Sequence, residues 1–131
     1  MKRCQFLGLI FAFSVLCFSS SILSLPEIAS EQEFNQLIVQ EQLVVVDFYA
    51  NWCGSCQRMT LVLAEIEKEN PDIIFVKVNI DLLNHLAASF KIRRIPTLIF
   101  IKNGERVGRT MELMPKDVLQ EKINSFFADP A

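Results

Sequence analysis

The sequence has 131 residues, which is enough for one domain and too few for two. Hydrophobic residues make up 51% of the chain, so it can build a substantial core. The formal net charge is −2, and it becomes −4 once Lys2 and Arg3 are lost with the leader described next. This balance favours neither nucleic acid nor an anionic membrane surface as a partner.

The chain opens with the three-part layout of a secretory signal peptide. A basic start, Met1-Lys2-Arg3, precedes an apolar run over Phe6–Phe18 and the small residues Ser19-Ser20-Ser21. Cleavage after residue 21 satisfies the small-residue rule, and positions 19 and 24 are alternatives. We therefore expect residues 1–21 to be a signal peptide, residues 26–131 to form the folded domain, and the protein to be exported, either periplasmic or secreted.

Two alternatives to a cleaved signal stay open. The apolar segment up to Leu25 is barely long enough to span a bilayer, which would leave an uncleaved membrane anchor. Cys17 could instead belong to a lipoprotein signal. In each case Cys4 and Cys17 lie in the leader, so the folded domain keeps only Cys53 and Cys56. A structural disulfide framework is thereby excluded, and one close pair in an oxidising compartment indicates redox chemistry.

The remainder of the chain alternates between helical and strand patterns. Ser30 and Glu33 form a capping-box signature that starts a helix extending to about Gln40. Continuous β-branched and aromatic runs, typical of strands covered on both faces, then alternate with segments of helical periodicity. The predicted elements are strand Leu43–Tyr49, helix Ser55–Glu69, strand Ile73–Asn79, helix Asn84–Phe90, strand Thr97–Lys102, strand Arg106–Met111 and a helix from Pro115 to about Phe127.

This pattern predicts an α/β fold with a mixed central β-sheet and helices on both faces. Helices separate the first three strands, whereas a turn at Asn103-Gly104 joins the last two as a hairpin. The predicted order is β-α-β-α-β-β-α, with a further short strand near Ile28 as an option.

Cys53 and Cys56 lie where a buried strand ends and a helix begins. The unpaired N–H groups and the positive dipole end of that helix would stabilise a thiolate at Cys53. The i, i+3 spacing brings the second sulfur within reach of the first. Cys53 is therefore predicted to be the exposed attacking thiolate and Cys56 the buried resolving thiol. Half of a zinc site is the alternative, but the domain offers only two cysteines and one histidine for four ligands.

Asp47 is an acid inside the apolar run Val44–Tyr49, where burial of a carboxylate is costly. Because it precedes Cys53 by six residues, Asp47 could lie behind the cysteine pair with a raised pKa and accept the proton of Cys56. An edge-strand or hydrogen-bonded structural Asp is the alternative. Lys77, in the adjacent predicted strand, could modulate Asp47 through a solvent channel, or it could be a solvated charge at a strand end.

The segment Asp47-Phe48-Tyr49-Ala50-Asn51-Trp52-Cys53-Gly54-Ser55-Cys56 resembles the active-site segment of the thioredoxin family. Ile95-Pro96-Thr97 resembles the cis-proline loop of that family, and Lys77-Val78-Asn79-Ile80-Asp81 and Lys102-Asn103-Gly104-Glu105 also match its pattern. The similarity covers residues 28–127, with several motifs in the right order. It implies a thioredoxin fold and a protein-disulfide oxidoreductase.

The resemblance also implies roles for individual residues. Pro96 would be cis and packed against the cysteine pair, and the backbone of Ile95 would pair with substrate as an extra strand. Asp47 and Lys77 would be the buried acid and its partner. The predicted catalytic set is therefore Cys53, Cys56, Asp47 and Lys77, and the predicted substrate-binding set is Trp52, Gly54, Ser55, Ile95, Pro96 and Thr97.

The chain departs from the family pattern at several positions. Ser55 stands where most thioredoxins have Pro, which implies a less reducing couple, and Tyr49 stands where the family often has Trp. Arg94 and Glu112 each replace a usual Gly, so they add bulk and charge to the docking surface of the family. These changes make the ordinary cytosolic partners of the family doubtful for this chain.

The expected activity is reduction of protein disulfides by dithiol–disulfide exchange at the Cys-Gly-Ser-Cys site. An exported thiol oxidase or disulfide isomerase is the alternative, and a redox-inactive binding module on the same fold is a third. Beyond the Cys53–Cys56 pair, no cofactor or metal is expected. The expected partners are protein disulfides or dithiols and a membrane-bound or exported thiol electron donor or acceptor, with the protein itself a monomer.

Overall fold

The computed structural model describes residues 24–130. The predicted signal peptide over residues 1–21, together with Cys4 and Cys17, lies outside the described residues. Within residues 24–130, no helix is both long enough and apolar enough to cross a membrane.

Four helices and four strands follow one another along the described chain. They are α1 (Glu31–Gln40), β1 (Leu43–Tyr49), α2 (Gly54–Glu69), β2 (Ile74–Asn79), α3 (Asn84–Ser89), β3 (Thr97–Lys102), β4 (Glu105–Thr110) and α4 (Lys116–Phe127). Every predicted helix and strand of this series is present, and no end differs from its prediction by more than one residue.

The four strands form one mixed sheet in the order β2-β1-β3-β4. β1 runs parallel to β2 and antiparallel to β3, and β3 pairs with β4 as an antiparallel hairpin. This arrangement confirms the predicted α/β class and its mixed sheet. The short strand considered near Ile28 is reduced to a single parallel bridge between Glu27 and Lys77. Here Lys77 N donates to Pro26 O at 2.9 Å and Ile28 N donates to Lys77 O at 3.0 Å.

Side-chain alternation along the strands builds one core on each face of the sheet. Val44, Val46 and Phe48 pack beneath α1 and α3. Val45 points to the opposite face, where it packs with residues of α2 and α4 such as Met59. β1 is therefore covered on both sides, as its continuous apolar run predicts.

The first helix begins with the predicted capping box. Glu33 N donates to Ser30 Oγ at 3.1 Å, and the Glu33 carboxylate accepts from Ala29 N at 2.7 Å. These two bonds satisfy backbone donors that a helix start would otherwise leave unpaired. α1 is followed directly by β1, and the end of β1 leads to the site.

Candidate active site

The site forms where β1 leaves the sheet and α2 begins. β1 ends at Tyr49, and a short turn leads to Cys53, which is the N-cap of α2. The strand ends at Tyr49 and the helix begins at Gly54, so the chain turns within the four residues between them. Cys53 lies at the end of this turn and Cys56 in the first turn of α2.

Cys53 and Cys56 are joined in a disulfide with a Cα–Cα distance of 5.3 Å. Cys53 is 7% exposed and Cys56 is 1% exposed. The two side chains are therefore unequal in the predicted direction, although Cys53 is more covered than an exposed thiol would be. Tyr49, Ala50 and the partly buried Ile95 pack against the pair and provide this cover.

The start of α2 offers hydrogen-bond donors to the sulfur of Cys53. Cys56 N donates to Cys53 Sγ at 3.2 Å, and the Ser55 hydroxyl lies 3.4 Å from the same sulfur. In the reduced protein, both groups and the helix dipole would favour negative charge on this sulfur. The geometry therefore fits the predicted role of Cys53 as the thiolate.

The loop before β3 meets the cysteine pair from the other side. The peptide bond between Ile95 and Pro96 is cis. Thr97 Oγ1 donates to Arg94 O at 2.6 Å, which closes the loop, and Ile95 packs against the cluster that contains both cysteines. The two segments singled out from the sequence, about forty residues apart, are thus neighbours in space.

Asp47 is completely buried in the middle of β1. Neither of its carboxylate oxygens has a hydrogen-bond partner among the described residues. Burial raises the pKa of Asp47 to about 7, and the attraction of Lys77 opposes this rise to a smaller extent. A hydrogen-bonded structural Asp, the alternative considered above, does not describe this side chain.

The face on which Asp47 lies is also that of the resolving cysteine. Asp47 lies two residues after Val45 in β1, so the two side chains point to the same face of the sheet. On that face Val45 packs with Met59 of α2. Cys56 precedes Met59 by three residues, so both belong to the same face of that helix. The acid therefore lies on the face of the sheet that α2 covers, rather than on the side covered by α1 and α3.

Lys77 lies opposite Asp47 in the register of β1 and β2. Its ammonium donates to Ser24 Oγ at 3.2 Å and lies 5.1 Å from the centroid of the Tyr49 ring. It makes no ion pair with Asp47 within 4 Å among the described ion pairs. Lys77 also lines a cavity of about 250 Å³ with Tyr49, which is roomy enough for water. Asp47 is not among the residues that line this cavity, so a solvent channel from Lys77 to Asp47 stays a prediction.

The residue Tyr49 has a role that the sequence did not indicate. Its hydroxyl donates to Glu27 Oε1 at 2.6 Å. Burial, followed by this hydrogen bond, raises the pKa of Tyr49 to about 12, so the phenol is neutral. The contact spans 22 residues and depends on the bridge between residue 27 and β2. The substitution of Tyr for the more usual Trp was the available signal.

The outer surface of the site is formed by Trp52 and Gly54. Trp52 is 70% exposed, and its indole N–H donates to Asp81 Oδ2 at 3.0 Å, so it is not a core residue. A Cβ added to Gly54 would meet no atom within 4 Å. A substrate can therefore approach the cysteines over this residue. Within residues 24–130, no group of three or more His, Cys, Asp or Glu side chains could hold a metal ion.

A disulfide at the start of a helix, facing a cis-proline loop, defines a site for dithiol–disulfide exchange. Comparison with known proteins places this site in a family. The family model described as Thioredoxin matches residues 26–125. Thioredoxin of Mycoplasmoides gallisepticum is 37% identical over 99 residues, which are 76% of this chain and 99% of that protein. Thioredoxin of Chlamydia caviae is 40% identical over 98 residues, which are 75% of this chain and 95% of that protein.

Solved structures give the same result. A mutant thioredoxin from Halobacterium salinarum superimposes with a TM-score of 0.76 at 27% identity, covering 83% of this chain and 96% of its own. Oxidised mitochondrial thioredoxin 3 from Saccharomyces cerevisiae gives 0.72 at 30% identity, covering 77% and 94%. The chain belongs to the thioredoxin family and has its fold. It is a protein-disulfide oxidoreductase that acts on protein disulfides.

Proposed function

We propose that the chain is an exported reductant of protein disulfides. The Cys53 thiolate attacks a substrate disulfide, the substrate S–S bond breaks, and one substrate thiolate leaves. Cys56 then loses its proton to Asp47 and attacks the sulfur of Cys53, which releases the second substrate thiolate. Two electrons pass to the substrate, and the Cys53–Cys56 disulfide forms.

The observation that carries this proposal is the buried, unpartnered carboxylate of Asp47 on the face of the sheet that α2 covers. An acid with a pKa of about 7 exists in both protonation states near neutral pH, which is the property required of a general base. Burial of the Asp47 carboxylate costs free energy, and no hydrogen bond among the described residues offsets that cost. A role as acceptor of the Cys56 proton would explain why an acid is present at this buried position.

Turnover of a protein disulfide tests the activity. With dithiothreitol as electron source, the wild-type domain should accelerate reduction of insulin disulfides, and Cys53→Ser should abolish the acceleration. Cys56→Ser should accumulate a mixed disulfide on Cys53, because the resolving thiol is absent. If Cys53→Ser retained the wild-type rate, or if Cys56→Ser trapped no substrate, this mechanism would be wrong.

An oxidase or isomerase is a second candidate because Ser55 differs from the usual Pro. Its hydroxyl lies 3.4 Å from Cys53 Sγ, where it can donate to a thiolate. Stabilising the reduced form makes a couple more oxidising. The direction of electron transfer therefore depends on the reduction potential of the Cys53–Cys56 couple.

Export is proposed from the leader. The family match begins at residue 26, so the basic start Lys2-Arg3 and the apolar run that follows are additional to the family domain. A fusion to a reporter that is active only outside the cytoplasm should score positive, and the mature protein should begin near Ile22. A membrane-bound protein that retains Met1 would support the anchor instead.

The partners follow from the same proposal. One similar solved structure concerns the thiol-resolving mechanism of a yeast mitochondrial 1-Cys peroxiredoxin via glutathione and thioredoxin systems. For this chain we propose protein disulfides as substrates and a membrane-bound or exported thiol as the electron donor. Capture of partners on Cys56→Ser from an exported fraction, followed by release with reductant, would identify them.

A further inference from the structure

A cavity of about 300 Å³ lies beside the cis-proline loop. Its wall includes Arg94, which directly precedes Ile95, and it continues along the end of β4 to α4. The proposed mechanism uses none of the side chains that line this cavity.

The cavity has an excess of positive charge in a chain whose net charge is negative. Arg94, Arg109 and Lys122 line it, against a single carboxylate from Glu112. None of these four groups forms an ion pair with another within residues 24–130. The positive charge is therefore not neutralised by the described part of the chain.

Two polar groups in the wall are buried and have no partner among the described residues. Thr110 is 6% exposed, and its hydroxyl makes no hydrogen bond. The Nε of Arg109 is likewise without an acceptor, although its other nitrogens donate to the carbonyls of Phe90 and Lys91. These bonds hold the guanidinium in place. Buried donors without acceptors are costly, so an acceptor that reaches these two groups would be favoured.

We infer that this cavity binds the carboxylate of an acidic side chain on the protein substrate, close to the cysteine under attack. The inference deepens the proposed function and rests on it. A carboxylate neutralises the excess charge of Arg94 and Lys122, and it brings an acceptor to the wall in which the Thr110 hydroxyl and Arg109 Nε have none. The methionines Met111 and Met114 line the same cavity and suit the apolar stem of a Glu side chain.

The position of the acidic residue follows from the strand geometry. If a substrate pairs in extended form with the backbone of Ile95, its residues advance by about 3.3 Å each. The cavity begins at the neighbouring Arg94. An acidic residue two or three positions from the reactive cysteine can therefore reach the cavity, whereas one directly beside the cysteine is too far from it.

The test is a set of peptides, each with one cysteine bonded to 2-thiopyridone as a neutral chromogenic leaving group. A single Glu is moved through the positions on both sides of the cysteine, and each peptide has a Gln counterpart. With the protein reduced beforehand and followed through a single turnover, we expect the second-order rate constant to favour Glu over Gln by about three- to tenfold at the position that reaches the cavity, because solvent-accessible charge pairs are individually weak. The preference should shrink at high salt.

Variants assign the preference to the cavity. Arg94→Gln and Lys122→Gln should each reduce it, whereas Arg93→Gln, which removes the neighbouring exposed charge outside the cavity, should preserve it. Thr110→Val should also reduce the preference without lowering stability, because its hydroxyl makes no bond in the fold. Reduction of bis(2-hydroxyethyl) disulfide should be the same in all of them.

Two controls separate this inference from the proposed function. If the wild-type protein did not reduce bis(2-hydroxyethyl) disulfide, the proposed reductase activity itself would be wrong. Binding of fluorescent peptides with Ser in place of Cys needs no redox step, and it should show the same preference for Glu. Equal binding and turnover of Glu and Gln peptides at every position would overturn the inference. A preference that survives in both Arg94→Gln and Lys122→Gln would overturn it as well.

Discussion

Asp47 predicts an unusual dependence of stability on pH. In the unfolded chain this acid loses its proton near its ordinary pKa of 3.8, whereas in the folded, oxidised protein it keeps the proton to about pH 7. Between these values the unfolded state binds fewer protons than the folded state, so stability falls as the pH rises. The loss begins near pH 4 and is complete above pH 7.

The size of this loss follows from the shift. Each pKa unit corresponds to about 1.36 kcal/mol, so a rise from 3.8 to about 7 corresponds to roughly 4 kcal/mol. Asp47→Ala lacks the titrating group. Urea melts of both oxidised proteins from pH 4 to pH 8 give the difference in their free energies of unfolding, from which the other titrating groups cancel. As the pH rises from 4 to 8, the free energy of unfolding of the variant relative to that of the wild type should increase by up to roughly 4 kcal/mol.

Activity should change in the opposite direction. If Asp47 takes the proton from Cys56, Asp47→Ala should slow disulfide reduction by about 10²–10⁴-fold at most, and by less at high pH, where Cys56 ionises unaided. A difference in stability that is flat with pH would refute the raised pKa. A variant that is destabilised at all pH values but fully active while folded would refute the role as proton acceptor.

Three further predictions concern the cysteine segment and the hairpin. Ser55→Pro should shift the couple to a more negative potential by tens of millivolts, where about 30 mV is 1.4 kcal/mol, and equilibration with glutathione would show an unchanged or more positive value if this is wrong. Gly108→Ala should cost about 1–3 kcal/mol in urea melts because its Cβ would lie 2.3 Å from a phenylalanine ring of α4, whereas Gly54→Ala, in open space, should not destabilise the fold. Alkylation by iodoacetamide against pH should give Cys53 a pKa of roughly 6–7.5, and faster alkylation of Cys56 would reverse the assignment.

The fold and the centre of the site could be predicted because their signals are local. The apolar run of β1, the capping residue Ser30 and the change of period at Cys53 are each contained within a few neighbouring residues. They specify a strand, a helix start and a strand-to-helix junction without knowledge of the rest of the chain. The cysteine pair therefore lies where the sequence places it.

The remaining features depend on contacts between distant segments. The bond from Tyr49 to Glu27 requires the bridge beside β2, and the cavity at Arg109 requires the hairpin, the cis-proline loop and α4 together. Gly108 reads as an ordinary strand glycine until the ring of Phe126 is packed against it. Periodicity contains no information about such contacts, so neither the cavity nor the tight packing could be predicted.

The cover over Cys53 is a similar case. A position at a helix start predicts an exposed thiol, yet the side chain is 7% exposed because Ile95 from the distant loop packs against it. The sequence contained both segments, but the degree of cover depends on how closely they approach.

The reduction potential of the Cys53–Cys56 couple decides whether the protein reduces or oxidises its substrates. It is measured by equilibrating the domain with glutathione buffers and separating oxidised from reduced protein after acid quenching. We expect a value between about −270 mV, typical of thioredoxin, and about −200 mV, with Ser55 responsible for the less negative part of this range. A value near −120 mV, that of the strongest bacterial oxidant, would refute the role as a reductant and make the protein an oxidase.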